Sequence, residues 1–168
     1  LNTSWKGIDL TYGKDRVAWG SSGDGGLLLS GVAPSFNQLR IAFQLTNDLR
    51  FTYLVGQMHP SDDVVGDTMY VTDRGWTRYS LVPKWLAAHR LEYSPWEPVL
   101  LSVSEAIIWG NRGLDPSYLN PLYFFYSAEH DGGDQDNVLM AGDIRIRIAH
   151  HALVYGELLI DDIKTSTL

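Results

Sequence analysis

The chain has 168 residues, 45% of them hydrophobic and 20% charged, with 13 basic and 20 acidic side chains and a formal net charge of −7. That is enough for one domain with its own core, and it excludes a disordered chain. The acidic balance and scattered basic residues exclude a nucleic-acid-binding face, and the lack of cysteine excludes disulfides, thiolate metal sites and a Cys nucleophile.

The dominant signal is alternation with period two, which puts successive side chains on opposite faces of a strand. In chain order, a short hairpin is expected around residues 12–15 and a further strand at 27–30. The glycine-rich stretch 20–26 between them lacks the Lys-Ser/Thr end of a phosphate loop and reads as a turn. Leu39, Ile41, Phe43 and Leu45 alternate with Arg40, Ala42 and Gln44; a turn at 46–49 leads to Phe51, Tyr53 and Val55 alternating with Thr52, Leu54 and Gly56. A hairpin joins strands 85–93 and 99–109 through Ser94-Pro95-Trp96-Glu97-Pro98. Strand 137–148 places Val138, Met140, Ile144, Ile146 and Ile148 on one face and Asp143, Arg145 and Arg147 on the other. A turn at 149–151 precedes a last alternating strand, 152–161, with Glu157 on the charged face.

Tight turns therefore alternate with two long connections, 57–84 and 110–136. Such loops are uncommon in compact soluble domains and usual in outer-membrane barrels, which have short turns at one end and long loops at the other. Trp85, Tyr93, Trp96, Trp109 and Tyr155 include several near strand ends, where an aromatic girdle would sit. No run of about 18 apolar residues is present, so no helix is expected to span a bilayer. The chain starts at Leu1 without a signal peptide and stops at Thr167-Leu168 without a closing signal, and so reads as an internal segment.

Glu92 and Glu105 lie on strands joined by one turn, and a glycosidase needs two carboxyls roughly 5–10 Å apart. Beside Arg90 they read instead as part of a structural ion-pair network. His89, His130, His150 and His151 fit no zinc spacing, and the acidic loop 131–137 lacks the bidentate Glu of an EF-hand. No metal, no cofactor and no enzymatic activity are expected. Tyr118, Tyr123, Phe124, Phe125 and Tyr126, with Asn111, Asn120 and Glu129 nearby, could stack on sugar rings. Alternatively, residues 121–127 form a short helix packed as a small core of its own, since three consecutive large aromatics are costly to expose.

Ala88-His89-Arg90-Leu91-Glu92-Tyr93, the stretch 101–112 (LSVSEAIIWGNR), Tyr118-Leu119-Asn120-Pro121, Asp136-Asn137 and Tyr155-Gly156-Glu157-Leu158 together resemble the capsule assembly Wzi family. Ala18-Trp19-Gly20 and Leu27-Leu28-Leu29-Ser30 extend the resemblance, which covers most of the chain. It implies a large outer-membrane β-barrel at the bacterial cell surface, in contact with membrane lipid, that acts as a lectin for capsular or other exopolysaccharide. The expected fold is all-β: an antiparallel up-and-down meander, residues 1–168 forming one partial barrel domain with a short helix in one long loop. The residues expected to meet polysaccharide are Arg90, Glu92, Glu105, Arg112, Asn120, Tyr123, Asn137, Asp143 and Arg145. The alternative is a soluble secreted β-sandwich that binds or cleaves carbohydrate; it too alternates apolar and polar faces.

Glu105 is the awkward residue. Strict alternation puts it on the apolar face with Val103 and Ile107. Either a β-bulge between Ser104 and Ala106 turns it toward Arg90, the favoured expectation, or a packed lid covers it.

Overall fold

The computed structural model describes residues 1–58, 68–71, 74–75, 77–80, 83–133, 136–148 and 152–161. Its strands are β1 (Asn2–Trp5), β2 (Ile8–Asp15), β3 (Phe36–Gln44), β4 (Leu49–Met58), β5 (Thr68–Val71), β6 (Thr77–Ser80), β7 (Lys84–Trp96), β8 (Val99–Gly110), β9 (Asn137–Ile148) and β10 (Ala152–Asp161). Among the described residues there is one α-helix, α1 (Phe125–Gly132), between β8 and β9. Eight strands form one sheet in the order β1-β2-β3-β4-β7-β8-β9-β10, every pair antiparallel; among the described residues β5 and β6 pair with each other and with no other strand.

The expected meander is therefore present, and its register follows the turns. Leu49 pairs with Tyr93, Tyr93 with Leu101, and Leu101 with Ile144, so the short connections lie at one end and the long ones at the other. The β1–β2 turn is a two-residue hairpin loop in which Lys6 (φ 46°) and Gly7 (φ 81°) both take left-handed backbone, the geometry that matches the twist of the flanking strands.

The barrel is not formed. Among the described residues β1 and β10 remain the free edges of an open sheet, because neither finds a second partner. The expected outer-membrane location rested on closure and loses that footing. Separately, no helix among the described residues is long and apolar enough to cross a membrane, a finding that bears on helices alone. The expected strand at 27–30 is also corrected: Leu29 makes only an isolated bridge to Trp19.

What the open sheet does instead is cover both faces with its own connections. On the apolar face, Tyr53, Val55, Ala87, Ile107, Trp109 and Val138 pack under Tyr118, Phe125 and Ala128 of the β8–β9 connection. Trp109 stacks on Trp85 and tilts against Tyr118, so burial under this lid replaces the girdle expected for Trp109. Ile107 and Phe125 are fully buried, each contributing about 1.5–3 kcal/mol of apolar transfer. On the polar face, residues 16–31 cross the sheet, and Val17 and Trp19 pack on Leu54, Leu86, Ala88 and Ala106.

Glu105 is resolved by the lid. The ladder runs regularly through Ser104, Glu105 and Ala106, so the favoured bulge is absent and Glu105 shares its face with Val103. Its carboxylate accepts the amides of Phe125 (2.9 Å) and Tyr126 (2.8 Å), the first turn of α1, and lies 3.0 Å from His89 Nε2. Phe124 at the N-cap has no side-chain oxygen to do this, so a carboxylate from the sheet satisfies the orphan donors. The helix starts four residues later than the expected 121–127 and ends on Gly133 in left-handed backbone.

Glu105→Ala should strip the buried amide of Phe125, the half-buried amide of Tyr126 and His89 of their acceptor and lower stability by about 2–3 kcal/mol in urea unfolding. Val103→Ala, on the same face but 61% exposed, should change it by less than about 0.5 kcal/mol. Equal losses would show that Glu105 does not anchor the helix.

Candidate functional site

The polar face carries a groove of about 400 Å³ between β1–β4 and the crossing segment. Asn2 and Ser4 come from β1, Asp9 and Thr11 from β2, Arg40 and Ala42 from β3, and Arg50 and Thr52 from β4; Trp19 forms a wall. The register dictates this grouping. Asn2, Thr11 and Arg40 stand in one cross-strand row, and Ser4, Asp9, Ala42 and Thr52 in the next. Ala42 is small, which lets Arg50 on β4 reach over β3 and place Nη2 2.7 Å from Asp9 Oδ2. Ser4 and Arg50 hold the Asp9 carboxyl below its ordinary range. Thr11 Oγ1 donates to Asn2 Oδ1 (3.3 Å), and the Asn2 amide nitrogen is not used in that bond.

Trp19 is placed by a chain of polar contacts. Arg90 donates from Nη1 and Nη2 to the two oxygens of Asp143 (2.7 and 3.0 Å), and also to Ser104, Ser102 and Glu92. Asp143 in turn accepts Ser21 Oγ (2.6 Å), two residues from Trp19. Glu157 accepts the amides of Ser22 (2.6 Å) and Leu27 (2.9 Å), and Gly20 passes so close that a Cβ there would lie 2.7 Å from Glu157 Oε1. The glycine-rich stretch 20–26 is thus a cradle for a carboxylate of the same chain. Trp19 N donates to Leu29 O (2.8 Å), closing the loop behind the indole.

Burial pushes the Asp143 and Glu157 carboxyls up. Hydrogen bonds outweigh it and leave both below their ordinary values: from Arg90, Ser21 and Ser102 at Asp143, and from Leu27 and Ser22 at Glu157.

The nine residues expected to meet polysaccharide do not form one site. Arg90, Glu92 and Asp143 come together in the buried network just described, on the polar face. Glu105 lies on the opposite face under α1, so it does not pair with Arg90, and Glu92 and Glu105 do not face each other across a cleft. Arg112 closes the base of the β8–β9 connection with Asp115 and Asp136, and Tyr118 donates to Asp136 (2.7 Å). Burial behind this clasp pushes the Tyr53 hydroxyl up to about 12; it donates to Tyr118 O (2.8 Å). Asn120 and Tyr123 line a separate hollow of about 330 Å³, where Tyr123 donates to Asp131 (3.2 Å). Asn137 and Arg145 are exposed on β9. Among the described residues no three potential metal ligands converge.

The groove residues Asn2, Asp9, Thr11, Arg40 and Arg50 escaped the sequence reading. The available signal was alternation at Asn2/Ser4 and Asp9/Thr11 on either side of Lys6-Gly7, a left-handed turn pair.

No family model, curated protein or solved structure matches the chain. The resemblance to the capsule assembly Wzi family is therefore not upheld, and with the sheet open the outer-membrane barrel function inferred from it is corrected too. What the fold and the groove define is an all-β domain built on one open antiparallel sheet, with a polar groove on one face.

Both carboxyls that anchor residues 16–31 have folded values below those of the unfolded chain. Their stabilisation is therefore complete above about pH 4.5 and is lost as pH falls through the lowered folded values. Glu157→Gln should cost about 1 kcal/mol at neutral pH and shrink the acid-dependent loss, read by urea titration between pH 7 and 3. An acid limb identical to that of the parent chain would remove Glu157 from the anchor.

Proposed function

We propose that this chain binds carbohydrate in the polar-face groove and does not cleave it. The observation that carries the reading is the groove wall itself: short hydrogen-bonding side chains on adjacent strands (Asn2, Ser4, Asp9, Thr11, Thr52), two guanidiniums and one indole. Sugar hydroxyls each need a donor and an acceptor at fixed spacing, which a rigid ladder supplies with little ordering cost. Asp9 supplies acceptors, Arg40 and Arg50 supply donors, and Asn2, Ser4, Thr11 and Thr52 supply both.

The same geometry speaks against hydrolysis there. A general acid needs a carboxyl whose pKa is raised and a second carboxyl opposite it. Asp9 is the one carboxylate among the described groove residues, and Ser4 and Arg50 lower its pKa.

Affinity electrophoresis through gels containing neutral and acidic polysaccharides tests the proposal. At least one polymer should retard the chain, and Asn2→Ala and Asp9→Ala should each weaken that retardation several-fold with no released sugar. Equal mobility in every gel would end the carbohydrate reading.

A further inference from the structure

We infer that the groove selects an acidic sugar, one bearing a carboxylate, and that Arg40 is the residue that reads it. The inference rests on the carbohydrate reading above and names the ligand class of the same site.

Two guanidiniums face the groove, and they differ. Arg50 is committed, with Nη2 2.7 Å from Asp9. Arg40 is half-buried on β3 on the sheet's polar face, yet among the described residues it makes no ion pair and no hydrogen bond. Every other arginine buried or half-buried among the described residues holds a carboxylate: Arg50 to Asp9, Arg90 to Asp143 and Arg112 to Asp136. An uncompensated guanidinium partly withdrawn from water carries a desolvation cost that an incoming anion offsets. With Asp9 already neutralised by Arg50, the groove keeps one net positive charge.

The shape of the donor set selects the anion. A guanidinium presents its N–H groups in a planar fork that matches a carboxylate in two parallel hydrogen bonds. Thr11 and Asn2 stand in the same cross-strand row as Arg40, one residue from each of β1, β2 and β3, so hydroxyls beside the carboxylate on a pyranose ring meet polar partners along that row. The chain as a whole, at −7, repels polyanions. Retention of an acidic polymer therefore has to come from a local site and not from overall charge.

The test compares polygalacturonate with the same polymer after its carboxyls have been reduced to alcohols, using the whole chain in affinity gels. Polygalacturonate should retard the parent chain and the reduced polymer should do so at least tenfold less. Arg40→Gln should abolish the difference, whereas Arg145→Gln, an exposed arginine on the same face but outside the groove, should leave it intact. Equal retardation by both polymers overturns the inference while leaving carbohydrate binding in place. So does a loss of equal size in Arg40→Gln and Arg145→Gln, or retention confined to dextran sulfate and indifferent to Arg40. Because Arg40 makes no ion pair or hydrogen bond among the described residues, unchanged thermal unfolding of Arg40→Gln separates lost recognition from lost structure.

Discussion

Arg90 is 5% exposed in the middle of β7, where it grips both oxygens of Asp143 on β9 and two serines on the intervening β8. A buried pair of this kind contributes little net stability, since desolvation of both ions offsets most of their attraction, but breaking it by removing one partner costs about 3–5 kcal/mol. Its consequence is geometric. With Arg90 holding both carboxylate oxygens, Asp143 also receives Ser21, and Ser21 carries the segment that sets Trp19 against the sheet. The wall of the groove is thus placed by an interaction several strands away from it.

The rest of the architecture answers one constraint: an antiparallel sheet with two chemically different faces must have both of them satisfied. The apolar face is covered by the aromatic side chains of the β8–β9 connection, the polar face by residues 16–31. In each case a sheet carboxylate secures the cover by accepting backbone amides, Glu105 for the first turn of α1 and Glu157 for Ser22 and Leu27. Charge-assisted bonds to backbone donors are stronger than neutral ones. They fix position where a hydrophobic contact alone would let the cover slide. The cover is partial: Val103, Val154 and Leu158 remain more than half exposed on the apolar face toward β10.

Strands β7 to β10 were legible because their alternation is long and short turns join β7 to β8 and β9 to β10, which leaves a single antiparallel register in each hairpin. The shared face of Asp143, Arg145, Arg147 and Glu157 followed from the same pattern. What alternation does not encode is the identity of the material facing each side. An apolar row reads alike whether lipid or the chain's own loop lies against it, and that ambiguity produced the expectation of a barrel. Glu105 held the clue, since a carboxylate among Val103 and Ile107 needs donors, and the helix start at Phe125 supplies them. The groove was illegible for a different reason. β1 has four residues, too few for a periodic signal, so the row that places Arg40 beside Asn2 and Thr11 exists only once the sheet has formed.

Amide hydrogen exchange in Asp143→Asn tests most directly whether the Arg90–Asp143 contact positions the groove wall. The substitution keeps the shape of the side chain and removes its charge, so Ser21 loses a charged acceptor and Arg90 keeps only Glu92 as a carboxylate partner. The amides of Trp19, Ser22 and Leu27 should then exchange faster together, while those at the centre of β4, β7 and β8 keep their protection. Unchanged exchange at Trp19, Ser22 and Leu27 would contradict the account, because the crossing segment would then be held in place without Asp143.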